Sequence, residues 1–267
     1  MIGIAVYSFI IAYLEIEYWK LSENSHIKNI PVMHSLLGFA ISMLLVFRTN
    51  TAYDRWWEGR RLWGMLVNNS RNLALKIGAF IPHEDVAQRA FFARIIPAYA
   101  LSLHNHLRTK KLQMELFEDD EHNHEIFKTI DHSRHVPNQL ASLMYRHVQD
   151  LYKRQVITGE QLIVLNNELA SFTDICGACE RIKNTPIPYS YTVFIKKFIF
   201  IYIMTLPFGF VFSLGYIVIP VVVFIFYVLA SLELIAEEIE DPFGEDANDV
   251  PTEKISQNIK NSVMEIL

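Results

Sequence analysis

The chain has 267 residues, 51% hydrophobic and 20% charged, with a formal net charge of -5. That acidic balance argues against a general nucleic-acid role, and the charged fraction is too high for a chain lying wholly in a bilayer. The charge is concentrated instead, since 18 of the 24 Lys and Arg residues fall between Arg48 and Lys183. A first apolar run at Ile2–Leu14 predicts a span over Ile2–Trp19, with Glu15 and Glu17 near its outer end. It follows Met1 without a basic lead-in or a small-residue cleavage site, so a signal peptide is not favoured and a native segment is expected to be missing before Met1. After the polar loop Ser22–Asn29, Pro31 opens a second span that is apolar to Phe47. No proline follows until Pro82, so this helix is expected to run on to about Phe80. Glu84–Lys111 predicts an amphipathic helix kinked at Pro97, and Phe117–His135 a loop with short helix. A further helix is expected over Pro137–Gln155. Thr158 with Gln161 three residues on predicts a capping box that opens a helix to Lys183. Thr185-Pro-Ile-Pro then breaks the chain. The run Phe198–Leu232 is long enough for two crossings of about 20 residues each. They are expected over Tyr189–Phe212 and Ile217–Glu240, followed by a short acidic tail.

The loop between the first two spans holds only Lys20 and Lys28, and the turn between the last two holds no Lys or Arg. Basic residues favour the cytoplasmic side, so the central body and both termini are expected inside a cell membrane crossed four times. The division is 1–47 for spans one and two, 48–188 for a cytoplasmic helical region, 189–240 for spans three and four, and 241–267 for the tail.

Four groups of residues could carry chemistry. Phe39, Met43 and Phe47 fall at i, i+4 and i+8 on one face of span two. This is the spacing of a packing stripe, but small or polar Ser35, Gly38, Ser42 and Thr49 lie near it, as on a wetted face. Glu233, Glu237 and Glu240, then Glu238, Asp241, Glu245, Asp246 and Asp249, form either a solvated helix end or a hard-cation site. His104, His106, His122, His124, His132 and His135 read as solvated surface. Arg48, Arg55, Arg60 and Arg61, beside Trp56 and Trp57, suit a membrane boundary or a vestibule for anions. Cys176 and Cys179 read as core cysteines rather than a redox or zinc pair. No nucleophile elbow, phosphate loop or defined pair of catalytic carboxylates is present, which points away from an enzyme.

Four segments carry a resemblance to a known family: Ser35–Ile41 with Phe47–Glu58, Leu62–Gly64, Cys179–Tyr189, and Ala236–Asp246. In these the chain resembles the bestrophins, in their short bacterial branch, over nearly its whole length. The resemblance implies an all-helical membrane protein. It would be a homopentamer of four-span subunits around one central pore, with a large helical cytoplasmic region. The implied activity is passive flow of monovalent ions, either chloride and other anions or Na+ and K+. Its implied partners are further copies of the chain, the lipid bilayer and small inorganic ions. The apolar neck of the pore would fall on Phe39, Met43 and Phe47. The cytoplasmic exit constriction would fall on Ile157, with Glu160 one turn on as a possible carboxylate ring. Ile157 also suits a hydrophobic staple beside the Thr158 cap. Animal members bind Ca2+ in a clasp whose positions correspond to Glu238, Asp241, Asp246 and Asp249. Here Ala247 and Asn248 interrupt the acidic run and the N-terminal partner is expected to be missing, so a working clasp is not expected. A secondary transporter or a membrane-anchored metal-binding protein are the alternatives. The first needs a buried ionisable residue in mid-membrane, and the second needs the acidic tail and the histidines to converge.

Overall fold

The computed structural model describes residues 1–18, 30–108 and 130–267. Among the described residues the regular structure is entirely helical. In chain order the helices are α1 (Ile2–Tyr13), α2 (Ile30–Phe80), α3 (Val86–Leu107), α4 (Val136–Lys153), α5 (Gly159–Asn184), α6 (Tyr189–Leu214), α7 (Val218–Glu240) and α8 (Thr252–Ile266). The chain divides into two compact units, one of Met1–Arg55 with Pro186–Glu240 and one of Trp56–Thr185 with Asp241–Leu267. Helix α2, 51 residues long, contributes to both. It starts with Pro31 in its first turn, where a missing N–H costs nothing, and stops at Ile81-Pro82, as the proline spacing predicts.

The first unit packs α1, α6, α7 and the N-terminal part of α2. Ile41 and Leu45 of α2 meet Ile195, Ile199, Ile203 and Leu206 of α6 and Val218, Val222 and Leu229 of α7. The α6 isoleucines recur every four residues and so line one side of that helix. Gly38 lets α2 and α6 come close, since a Cβ there would sit 2.9 Å from the Tyr202 hydroxyl. Gly215, at φ +54°, ends α6 in a conformation that side chains rarely adopt. A short 3-10 turn, Gly215–Ile217, then leads into α7. The stretches Ile30–Phe80 and Tyr189–Glu240 each hold a window long and apolar enough to cross a membrane. Only 17% and 22% of those windows are buried within the protein, unlike the core helix of a soluble domain. The first expected span differs in detail. Its α-helix ends at Tyr13, and Leu14–Tyr18 forms a π-helical turn that buries Glu15.

The second unit is built on the remainder of α2. Trp63, Leu66, Leu73, Ala74 and Ile77 form its buried stripe, packed with Phe92, Ile95, Ile96, Tyr99 and Leu103 of α3. The Tyr99 hydroxyl donates to the Phe172 carbonyl of α5 at 2.8 Å. Arg89 reaches back to the Gly78 and Ile81 carbonyls and so caps the end of α2. The Thr158–Gln161 capping box forms as the sequence predicts. Cys176 and Cys179 are free and buried in this core, and burial pushes the Cys176 thiol up to about 12, so neither is primed for redox chemistry. The expected tail is corrected. Residues Thr252–Ile266 form α8, which lays Ile255, Ile259 and Val263 into the core and packs on α3.

Candidate functional site

Helix α2 presents two unlike faces within the first unit. His34, Ile41, Leu45, Arg48 and Ala52 are buried, whereas Phe39, Met43 and Phe47 remain 68%, 44% and 56% exposed. Exposed side chains of this size at i, i+4 and i+8 give the protein a continuous apolar ridge. The hydroxyls beside it are bonded to their own helix. Ser35, Ser42, Thr49 and Thr51 donate to the carbonyls of Pro31, Gly38, Leu45 and Phe47 respectively, each four residues back. His34 spends Nδ1 on the Ile30 carbonyl at 3.1 Å and Nε2 on the Thr205 hydroxyl at 3.0 Å.

Arg48, next to the ridge, has no exposed surface. Its guanidinium lies 2.7 Å from Glu240 Oε2 and 3.7 Å from Glu233 Oε1. Glu240 Oε1 accepts from the Ile187 N–H at 2.8 Å, and the Glu240 carbonyl accepts from Arg55 Nε at 2.9 Å. The buried Glu233 carboxylate makes no hydrogen bond among the described residues, so the Arg48 charge is its compensation. Sequence reading placed Arg48 at a membrane boundary or in an anion vestibule, and the two glutamates in a solvated helix end or a cation site. A lone Glu233 in an otherwise apolar run was the available signal for this pairing. Glu237, by contrast, stays half exposed and pairs with Lys196 at 2.8 Å.

In the second unit, Ile157 does not stand free at the start of α5. It is 3% exposed and belongs to the core, which corrects its expected placement in an exit constriction. The reason is the staple geometry. Ile157 precedes the cap residue Thr158 and is drawn inward with Leu162, which packs on the same core. The exposed residues at that end of α5 are Glu160, Ile163 and Val164. Hydrogen bonds from its own N–H and from the Thr158 hydroxyl hold the Glu160 carboxyl below the usual carboxylate range, so it is ionised at neutral pH.

The histidines do not form one solvated group. His104 is buried and shares a hydrogen bond with the Thr252 hydroxyl at 2.7 Å, joining α3 to α8. His106 and His135 converge on Glu180. His132 is exposed, and His122 and His124 lie outside the described residues.

The model of the bacterial and fungal bestrophin proteins matches residues 1–265. The chain belongs to the bestrophin family. A voltage-dependent anion channel-forming protein of Nostoc sp. is 37% identical over 245 residues, covering 88% of this chain and 78% of that one. Its counterpart YneE of Escherichia coli K12 is 32% identical, covering 87% of this chain and 75% of that one. The crystal structure of a bacterial bestrophin homologue from Klebsiella pneumoniae superposes with a TM-score of 0.87 at 28% identity. It covers 99% of this chain and 96% of that one.

The acidic turn of this bestrophin is held by hydrogen bonds to its own backbone. Glu238 lies on α7 in the first unit, whereas Asp241, Asp246 and Asp249 lie in the second. The Asp241 carboxylate accepts from the Phe243 N–H at 3.3 Å, and Asp249 Oδ2 accepts from the Asp246 N–H at 2.7 Å. The buried Asp249 Oδ1 has no hydrogen-bond partner among the described residues. Burial and the neighbouring Asp246 and Asp241 push the Asp249 carboxyl up to about 6, despite the Asp246 amide and Arg108. A folded-state value above the unfolded one stabilises below pH ~4, and that stability is lost as pH rises through ~6. Asp249→Asn, which keeps the acceptor oxygen, should therefore raise stability at pH 7 by about 1 kcal/mol after allowance for partial exposure. It should also flatten the decline in melting temperature between pH 4 and 6. An unchanged pH profile would show that Asp249 titrates normally.

Proposed function

We propose that this bestrophin is one subunit of a homopentameric anion channel that crosses the cell membrane four times, with its helical body and both termini in the cytoplasm. The proposed crossings are the segments 1–47 and 189–240, and the cytoplasmic parts are 48–188 and 241–267. Phe39, Met43 and Phe47 line the neck. The observation that carries this reading is the apolar ridge on α2, exposed on one face while the opposite face is buried against α6 and α7. One subunit cannot enclose a pore with such a ridge, whereas a closed ring of copies can turn it to the axis. Large apolar side chains around a narrow neck then control wetting, and with it conduction. The anion preference rests on the printed function of the Nostoc and E. coli relatives. The exposed α2 residues Arg60, Arg61 and Arg71 agree with it, because a basic surface raises the local anion concentration. Ionised Glu160 opposes them.

The test is the reversal potential of the purified channel in a planar bilayer under a potassium chloride gradient. It is expected near the chloride equilibrium potential, and a value near that of potassium would overturn the anion reading. Glu160→Gln should move the potential further toward chloride. No movement would remove Glu160 from the ion path.

A further inference from the structure

Three helices of the second unit meet at a cluster that ion conduction does not use. His106 lies in the last turn of α3, His135 caps the N-terminus of α4, and Glu180 lies near the end of α5. Both imidazole Nε2 atoms sit 2.6 Å from the same oxygen, Glu180 Oε1, and the two rings are 4.3 Å apart. One ligating atom from each of the three side chains lies within 4.8 Å of the others. The backbone beneath is fixed, because Lys183 donates to the Leu107 carbonyl and so ties α5 to the end of α3. The three side chains keep 34%, 29% and 29% of their surface open to solvent. Burial raises the Glu180 carboxyl, but hydrogen bonds from His135 and His106 outweigh it and leave it below the usual range.

We propose that His106, His135 and Glu180 form a site for a divalent metal of the zinc class, which staples α3, α4 and α5 together. Two imidazole nitrogens and one carboxylate oxygen suit zinc, whereas calcium and magnesium favour all-oxygen sets. Three protein donors leave a fourth, solvent-facing position for water. With metal–ligand distances of about 2.0–2.2 Å, tetrahedral donors stand roughly 3.4 Å apart. The 2.6 Å contacts must then open by less than an ångström, which partly exposed side chains can accommodate.

Loading has a structural consequence. The Asn138 N–H donates to His135 Nδ1 at 3.1 Å, so the imidazole proton resides on Nε2 and is given to Glu180. A metal on Nε2 needs that lone pair, so the proton moves to Nδ1 and Asn138 loses its acceptor. Metal occupancy and the N-cap of α4 therefore exclude each other. This inference does not depend on the channel reading, because the cluster lies within one chain.

The experiment is titration of the full chain, purified in detergent and stripped with EDTA, with zinc chloride in a calorimeter. The expected result is one zinc per chain, no heat from calcium chloride, and faster hydrogen exchange at the Asn138 amide on loading. His106→Gln and Glu180→Gln should each weaken zinc by about 100-fold or more while the protein elutes as before. If one of these variants does not fold, cobalt bound to the wild type supplies the independent readout, and a tetrahedral spectrum is expected. Failure of the wild type to take up stoichiometric zinc would overturn the site, as would an octahedral cobalt spectrum or equal affinity in both folded variants. Unchanged Asn138 exchange on loading would overturn the coupling to the cap.

Discussion

Replacing Met43 and Phe47 together with Ala is expected to raise single-channel conductance several-fold while barely altering stability. Both side chains are about half exposed on the protomer, so their truncation opens no core cavity. Surface substitutions of this kind stay within about 0.5 kcal/mol, and Ala is the stronger helix former. The effect is expected at the proposed neck, where removing bulk lowers the barrier to wetting. The control lies one helical face away. Ile41 and Leu45 are almost fully buried, so Ile41→Ala or Leu45→Ala should cost about 2–5 kcal/mol through cavity formation. Paired measurements of single-channel current and melting temperature separate the two faces. Wild-type currents from the Met43/Phe47 double variant would remove these residues from the neck.

The second large effect is expected at Arg48. Arg48→Met leaves the Glu233 and Glu240 carboxylates, which are 5% and 16% exposed, without their cation. Breaking a buried ion pair from one side costs about 3–5 kcal/mol, much of it from the orphaned charge. The variant should therefore yield little folded protein, judged by detergent melting temperature and elution profile. Adding Glu233→Gln to Arg48→Met should recover part of the loss, because a neutral amide is cheaper to bury than a lone carboxylate. If the double variant loses as much stability, relative to wild type, as the two single variants added together, Arg48 and Glu233 do not interact.

Features set by neighbours in sequence were legible before the structure. Helix α2 could be followed to Phe80 because only proline would have stopped it, and Thr158 with Gln161 announced the start of α5 within four residues. The α8 helix was legible too, in the spacing of Ile255, Ile259 and Val263, but the acidic residues before it drew the reading toward a solvated tail. Ile157 was ambiguous for a physical reason. A staple residue and a pore residue are both apolar and both precede a cap, and only the fold decides which way the side chain turns. The Arg48 pairing joins α2 to the far end of α7, and the histidine cluster joins α5 to residues 74 and 45 positions away. No local periodicity encodes such meetings.

The back-bonded hydroxyls of α2 bear on how an anion would be chosen in the proposed neck. Ser35, Ser42, Thr49 and Thr51 have already given their protons to their own helix. What they show outward is oxygen lone pairs, which repel a halide rather than solvate it. Beside them stand a thioether and two phenyl rings, which offer an anion no N–H or O–H donor. A wall of this kind cannot recognise one anion by fitted donors. In the proposed neck, such a wall would rank anions by how readily each gives up its hydration shell, so that large, weakly hydrated ions cross it at the lowest cost.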